Sequence, residues 1–248
     1  MSIFVIADLH LSFDVNKPMD IFGSNWERHE EKIAKSWKGK VKEEDLVLLP
    51  GDFSWAMKLE DTQKDFEYLN SLPGKKLLLK GNHDYWWTTL NKMRKFIKKN
   101  KFENIDFIQN NYYEFEDKII TGVHGWIIGG KEEDNKILRR EKLRLQMELE
   151  AIQKEYGDSK EIIVVMHYPP YESPETKQQN PYAEIMGKYN VKKCYYGHLH
   201  GEQAYGNVKD YNLYGIEYKL ISADYLKFEL QKVEWNLDYI NKKYIKLQ

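Results

Sequence analysis

The chain has one cysteine, Cys194, in 248 residues. A lone thiol makes no internal disulfide and builds no Cys-based zinc module. A reducing compartment is therefore expected, and any metal chemistry must rest on nitrogen and oxygen donors. Cys194 stands in the run Cys194-Tyr195-Tyr196 and reads as a small buried hydrophobe. Long apolar runs are also missing: no stretch approaches the roughly 20 residues of a membrane span. The opening MSIFVIADLHLS is apolar for only a few residues before Asp8 interrupts it, without the basic start or cleavage site of a signal peptide. A cytoplasmic protein with no membrane partner is expected. Nor is there an excess of either charge. With 38 basic and 39 acidic side chains the net charge is −1, which disfavours a nucleic-acid polymer as partner because such binding needs a cationic surplus. Neither a repeat nor a low-complexity linker divides the chain, so one domain over 1–248 is expected.

What is present is a series of short apolar runs: Ile3 to Ala7, Leu46 to Leu49, Lys76 to Leu79, Ile119 to Val123, Ile162 to Met166 and Cys194 to Tyr196. Their length and branched content predict buried strands. Helical spacing lies between them, over Trp26 to Lys38, Asp61 to Leu72, Thr88 to Lys99 and Lys136 to Tyr156. The charged stretch Arg139 to Arg144 on the last of these reads as a solvated face. Strand and helix alternate through the first hundred residues, so a largely parallel sheet in an α/β fold follows. Past Tyr211 the pattern changes to consecutive strands over Tyr214 to Leu220, Leu226 to Leu230 and Val233 to Leu237, an antiparallel completion. Two loops follow strand ends, where open α/β folds bind ligands: Ser12 to Asn25, and residues 169–181 with four of the seven prolines.

Metal-ligand side chains gather where the strands end. The first strand runs into Asp8-Leu9-His10, the second into Gly51-Asp52 and the third into Gly81-Asn82-His83-Asp84. The fifth runs into His167 and the sixth into Gly197-His198-Leu199-His200. Residues i and i+2 of an extended segment point the same way, so Asp8 with His10, and His198 with His200, are expected to converge. Glycines 51, 81 and 197 permit the sharp turns required. Five of the seven histidines fall in this set. His29 lies among charged residues and reads as surface. His124 follows another strand and is a candidate substrate contact, as are Trp126 and Trp86, with Trp87 as a further candidate for the rim.

Taken in order, these motifs resemble the calcineurin-like metallophosphoesterase superfamily, over residues 8 to 200. The resemblance implies a four-layer α-β-β-α sandwich of two mixed sheets with a dinuclear metal site at the C-terminal edge of the strands. It implies that Asp8, His10, Asp52 and His200 hold one ion and Asp52, Asn82, His167 and His198 the other. Two divalent transition-metal ions are expected, manganese first, with iron, zinc or cobalt as alternatives. In this family pattern a hydroxide between the metals attacks phosphorus, and His83 protonates the leaving oxygen while Asp84 orients its ring.

The chain departs from the serine/threonine protein phosphatase branch, where an Asp-Arg-Gly segment follows Gly-Asp. Here Gly51-Asp52 is followed by Phe53-Ser54-Trp55-Ala56-Met57, without arginine. The expected function is hydrolysis of a small organic phosphoester, diester before monoester. The competing readings are a catalytically silent binding scaffold and a nuclease of the same superfamily.

Overall fold

The computed structural model describes residues 1–234. Its strands are β1 (Ile3–Val5), β2 (Leu46–Pro50), β3 (Lys75–Leu79), β4 (Ile105–Ile108), β5 (Tyr112–Phe115), β6 (Lys118–Val123), β7 (Glu161–Met166), β8 (Val191–Tyr196), β9 (Tyr211–Leu213), β10 (Ile216–Leu220) and β11 (Gln231–Lys232). Its helices are α1 (His29–Lys40), α2 (Gln63–Asn70), α3 (Leu90–Lys99), α4 (Glu132–Tyr156), α5 (Ala183–Met186) and α6 (Glu202–Tyr205).

Two mixed sheets form, in the orders β11-β1-β2-β3-β4 and β5-β6-β7-β8-β10-β9. Within each the central strands are parallel, and the antiparallel partners are edge strands: β11 on β1, β5 on β6 and β9 on β10. The period-2 alternation of side chains sorts each strand between two buried layers. Ile3, Val5, Leu46, Leu48, Leu77, Leu79, Ile163 and Val165 meet in the layer between the sheets. Phe4, Ile6, Val47, Leu49 and Leu78 face α1, α2 and α3 on one outside, with Ile33, Trp37, Phe66 and Met93. Ile162, Val164, Met166, Cys194 and Tyr196 face α4 and α5 on the other, with Leu145, Leu149 and Met186. Strands buried on both faces have no reason to alternate polar and apolar residues, which is why they read as unbroken apolar runs. The expected four-layer sandwich is the observed one.

Several boundaries differ. The first helix begins at His29, because Arg28 takes a left-handed conformation (φ 51°) that breaks the turn begun at Ser24–Trp26. The long helix starts four residues before Lys136: the Asp134 carboxylate accepts the Lys131 N–H at 2.9 Å, and an acidic first turn suits the helix dipole. Glu141, expected on a solvated face, is 3% exposed and pairs with Arg144. Leu226 to Leu230 is not a strand but a tight turn, with Lys227 and Phe228 at positive φ and the Phe228 N–H bonded to the Ala223 carbonyl. The strand expected over Val233 to Leu237 falls mostly outside the described residues. Strands β4, β5, β9 and β11 lie outside the expected runs, and the strand expected from Tyr214 begins at Ile216, because Tyr214 (φ 55°) and Gly215 form the turn between β9 and β10. No helix among the described residues is long and apolar enough to cross a membrane.

A short bridge between the sheets places the site. Just beyond β1, Ala7 pairs with Ser222 in a parallel bridge, its N–H reaching the Ile221 carbonyl at 2.9 Å. This bridge ties the first sheet to the second at the edge where β2, β3, β7 and β8 also end.

Candidate metal centre

Asp8, His10, Asp52 and His200 bring one donor atom each to within 4.8 Å of one another. His10 Nε2 lies 3.1 Å from His200 Nε2 and 3.6 Å from Asp52 Oδ2, and His200 Nε2 lies 3.5 Å from Asp8 Oδ1. Beside this group is a second. Asn82 Oδ1 lies 2.6 Å from His167 Nε2 and 2.8 Å from His198 Nδ1, and His167 Nε2 is 3.6 Å from Asp52 Oδ2. Asp52 Oδ2 therefore faces one imidazole of each group at equal distance. Donors bound to one transition-metal ion at 2.0–2.2 Å stand roughly 3–3.6 Å apart, the spacing of the first group, while the two Asn82 contacts of the second are shorter.

The backbone reaches this arrangement at a cost. Asp8, His10, Asp52 and His198 all have positive φ (62°, 47°, 52° and 74°), a region that costs non-glycine residues about 1–3 kcal/mol. This corrects the expected geometry: Asp8 and His10 converge through left-handed turns, not along an extended strand. Two of the glycines are needed for close approach and not for turning. A Cβ on Gly81 would lie 2.1 Å from the Asp52 nitrogen, and one on Gly197 2.5 Å from Asp8 Oδ2. The turn reading holds for Gly51, at φ 98°.

The electrostatics suit cations. Burial alone would raise the Asp8 carboxyl, but His200, His167 and His10 hold it well below the usual range. Asp52 is pushed up to about 8 by burial and by the Asp8 charge. Burial lowers His10 and His167, and lowers His198 to about 4, so these rings are neutral and offer lone pairs. His200 is the exception: burial opposes its charge, yet Asp8 and Asp224 raise it to about 10. In the second group, His167 Nδ1 faces the Pro50 carbonyl at 3.2 Å, so its proton belongs there. Its Nε2 lone pair then points at the Asn82 oxygen, an acceptor against an acceptor. That opposition is relieved by a positive ion, and the donor set fits divalent metals.

Asp84 does not orient His83. Its buried carboxylate accepts the backbone N–H groups of Gly81, Asp52, Phe53 and Ser54 at 2.8, 2.9, 2.9 and 3.2 Å, and the Trp86 indole N–H at 2.9 Å. It clamps the β2 and β3 loops together, because a carboxylate buried without a cation must be satisfied by N–H donors. Burial and the Asp52 charge push it up to about 6. His83 donates its backbone N–H to Asp52 Oδ1 at 2.8 Å. Its ring lies 4.4 Å from the Trp55 ring, and its Nδ1 is buried without a partner.

Of the remaining candidates, Trp86 and Trp87 pack away from the cleft, whereas His124 packs directly on His167. Trp86 is 2% exposed and packs on Phe53 and Phe66, so it lies behind the site and cannot touch a substrate. Trp87 packs on Trp86 and Phe107. His124 stacks on His167 with centroids 5.7 Å apart and planes 3° off parallel, and burial lowers its pKa to about 2. Trp126 packs on His124 and donates to Asp134 at 3.0 Å. His29 is buried, not on the surface: its Nε2 is 3.0 Å from the Leu9 carbonyl and its Nδ1 3.2 Å from that of Trp26.

Three residues carry no signal in the sequence that marks them for the site. Asp224 Oδ1 lies 3.1 Å from His200 Nδ1. Trp55 stacks on His10 at 4.8 Å, and the Lys17 ammonium lies 4.4 Å from the Trp55 ring centroid. Of the two long loops, Ser12 to Asn25 borders the centre, lining with Trp55, His83 and Tyr85 a cleft of about 700 Å³ whose floor includes His10 and His200.

A calcineurin-like phosphoesterase family model matches residues 1–202. No curated protein matches the chain. Among solved structures, phosphopantetheinyl hydrolase from Mycobacterium tuberculosis is similar at 12% identity, covering 96% of this chain and 97% of that one with a TM-score of 0.54. The protein TT1561 of Thermus thermophilus is similar at 14% identity, covering 94% and 97% with a TM-score of 0.58. At these identities the likeness is one of fold. The family match over most of the length, together with the buried carboxylate–imidazole cluster, makes this chain a member of the calcineurin-like phosphoesterase family, a group of metal-dependent phosphoesterases in general terms.

Proposed function

We propose that the chain is a dinuclear metal-dependent phosphohydrolase acting on a small organic phosphoester, with diesters preferred to monoesters. The observation that carries this reading is the shared position of Asp52 Oδ2, 3.6 Å from His10 Nε2 and 3.6 Å from His167 Nε2. A single carboxylate oxygen has two lone pairs and can be shared by two ions, while Asp52 Oδ1 accepts the His83 N–H. Asp8, His10, Asp52 and His200 would then hold one, and Asp52, Asn82, His167 and His198 the other. A bound pair of divalent cations supplies Lewis acidity toward phosphoryl oxygens and lowers the pKa of water toward neutrality.

The chain's own residues do the rest. His83 borders the cleft beside His10 and is assigned to the substrate: it contacts the phosphate and passes a proton to the departing oxygen. Trp55 packs on both His10 and His83 and limits the freedom of each ring. The preference for a diester follows from charge. Among the described residues Lys17 is the one Lys or Arg side chain lining the cleft, and no carboxylate lines it. One ammonium beside the metals suits the single negative charge of a diester better than the two of a monoester.

The test is hydrolysis of bis-p-nitrophenyl phosphate and p-nitrophenyl phosphate after chelation and reloading with Mn²⁺. Metal-dependent turnover with the diester faster is expected, and no metal-dependent turnover of either would overturn the reading. Asn82→Ala and His83→Ala should each lose activity by roughly 10²-fold or more. Only Asn82→Ala should also lower bound metal, and metal loss in His83→Ala would refute the division of roles.

A further inference from the structure

The wall of the cleft is apolar where it leaves the metal centre. Phe22, Met57 and Tyr85 line it and are 58%, 62% and 56% exposed, with Val15 and Met19 beside them. Ten large apolar side chains stand exposed among the described residues. Five of them, Phe13, Ile21, Phe22, Met57 and Tyr85, sit on this wall or on the loop that builds it. Scattered exposed apolar residues need no explanation, but a cluster at the mouth of a catalytic cleft does. The volume of about 700 Å³ is that of sites that enclose a small organic molecule.

The loop that carries part of the wall is tied down at its root. At the root of the loop the Phe13 N–H donates to the buried Asp65 carboxylate at 2.9 Å, and Asp65 in turn accepts from the Ser54 hydroxyl. One residue on, Asp14 takes both the backbone N–H and the ammonium of Lys64, at 2.9 and 2.7 Å. These bonds fix the loop to α2 and set Lys17 above Trp55.

The lining offers little hydrogen-bonding capacity to read a nucleobase, although Phe22 and Tyr85 present ring faces. The Trp55 indole is already covered by His10 at 4.8 Å, by His83 at 4.4 Å and by the Lys17 ammonium at 4.4 Å. Its N–H is spent on the Met19 sulfur at 3.1 Å. Among the described residues Asn16 is the one side-chain amide on the wall, too little to read the edge of a base. Methionine side chains, here Met19 and Met57, instead mould themselves to aliphatic groups.

We propose that this cleft takes the organic arm of the phosphoester as an unbranched apolar chain, with Phe22, Met57 and Tyr85 along it and Lys17 beside the phosphate. The inference rests on the phosphoesterase reading above and narrows its substrate class. Phosphate and chain then separate by chemistry: the charged end meets imidazoles, metals and an ammonium, and the apolar end meets a wall without carboxylates.

The experiment uses the Mn²⁺-loaded full chain and alkyl p-nitrophenyl phosphate diesters from methyl to octyl, below micelle-forming concentrations. KM should fall about twofold to fourfold per methylene while the chain still lies in the cleft. The exposed double variant Phe22→Ser/Met57→Ser should flatten that dependence. Independently of turnover, calorimetry with methyl and octyl phosphate should show tighter octyl binding and a more negative heat-capacity change. A KM indifferent to chain length, or thymidine 5′-p-nitrophenyl phosphate outperforming the octyl ester, would overturn the inference while leaving the phosphoesterase reading intact. Chain-dependent binding without hydrolysis of any ester would support the cleft assignment and overturn the proposed reaction.

Discussion

Asp224 Oδ1 lies 3.1 Å from His200 Nδ1, and its other oxygen accepts the Gly201 N–H at 2.8 Å. The carboxylate thus fixes both the tautomer of the imidazole and the backbone that carries it. A ring whose Nδ1 proton is held this way presents Nε2 inward, toward Asp8 and His10.

Asp224→Ala should therefore weaken the first cation's binding by about 10–100-fold, the usual cost of losing an outer partner of a ligating histidine. Titration of metal-free protein with Mn²⁺ reads this directly. Asp224→Asn keeps one acceptor oxygen and should fall between the variant and the parent. Unchanged affinity in Asp224→Ala would remove Asp224 from the metal centre.

Asp84 acts on the backbone instead, since it holds four backbone N–H groups and one indole N–H. In Asp84→Asn an amide NH₂ replaces one oxygen and faces donors with a donor. We expect a loss of about 2–4 kcal/mol in stability, read as a lower urea midpoint at unchanged slope. Had Asp84 served only to orient His83, the midpoint would stay where it is.

The parts legible in the sequence were those with a local signature. The buried strands announced themselves as apolar runs because both faces are covered, and Asp8, Asp52, Asn82 and His200 stood out by residue type at strand ends. What was hidden depended on tertiary placement. Asp224 follows β10 by sequence like any loop aspartate, and only the bridge between Ala7 and Ser222 carries it to His200. His29 carries a trace in the sequence: it lies four residues before Ile33 and eight before Trp37, and all three are buried on one face of α1. Trp86 and Trp87 could not be told from cleft residues by position, because the turn after His83 sends Tyr85 outward and Trp86 into the core. Lys17 and Trp55 meet across 38 residues of chain, a contact no spacing rule reports.

Lys76 lies away from the metals and bears on stability alone. It is 1% exposed in β3, its ammonium bonded to the Leu72 carbonyl and 5.9 Å from the Trp37 ring centroid. Burial pushes its pKa from 10.5 down to about 7. Between those values the unfolded chain holds a proton that the folded chain lacks, so stability contributed here rises with pH across the window and is lowest at and below its lower end. Lys76→Met keeps the length and apolar contacts of the stem and removes the charge. It should stabilise the fold at pH 7 by about 1–3 kcal/mol, after subtracting the lost hydrogen bond, and the gain should shrink toward pH 10. Urea melts of both proteins at pH 7, 8.5 and 10 measure it. A variant less stable than the parent at pH 7, or a gain that grows with pH, would show that the ammonium is better satisfied in the fold than its burial implies.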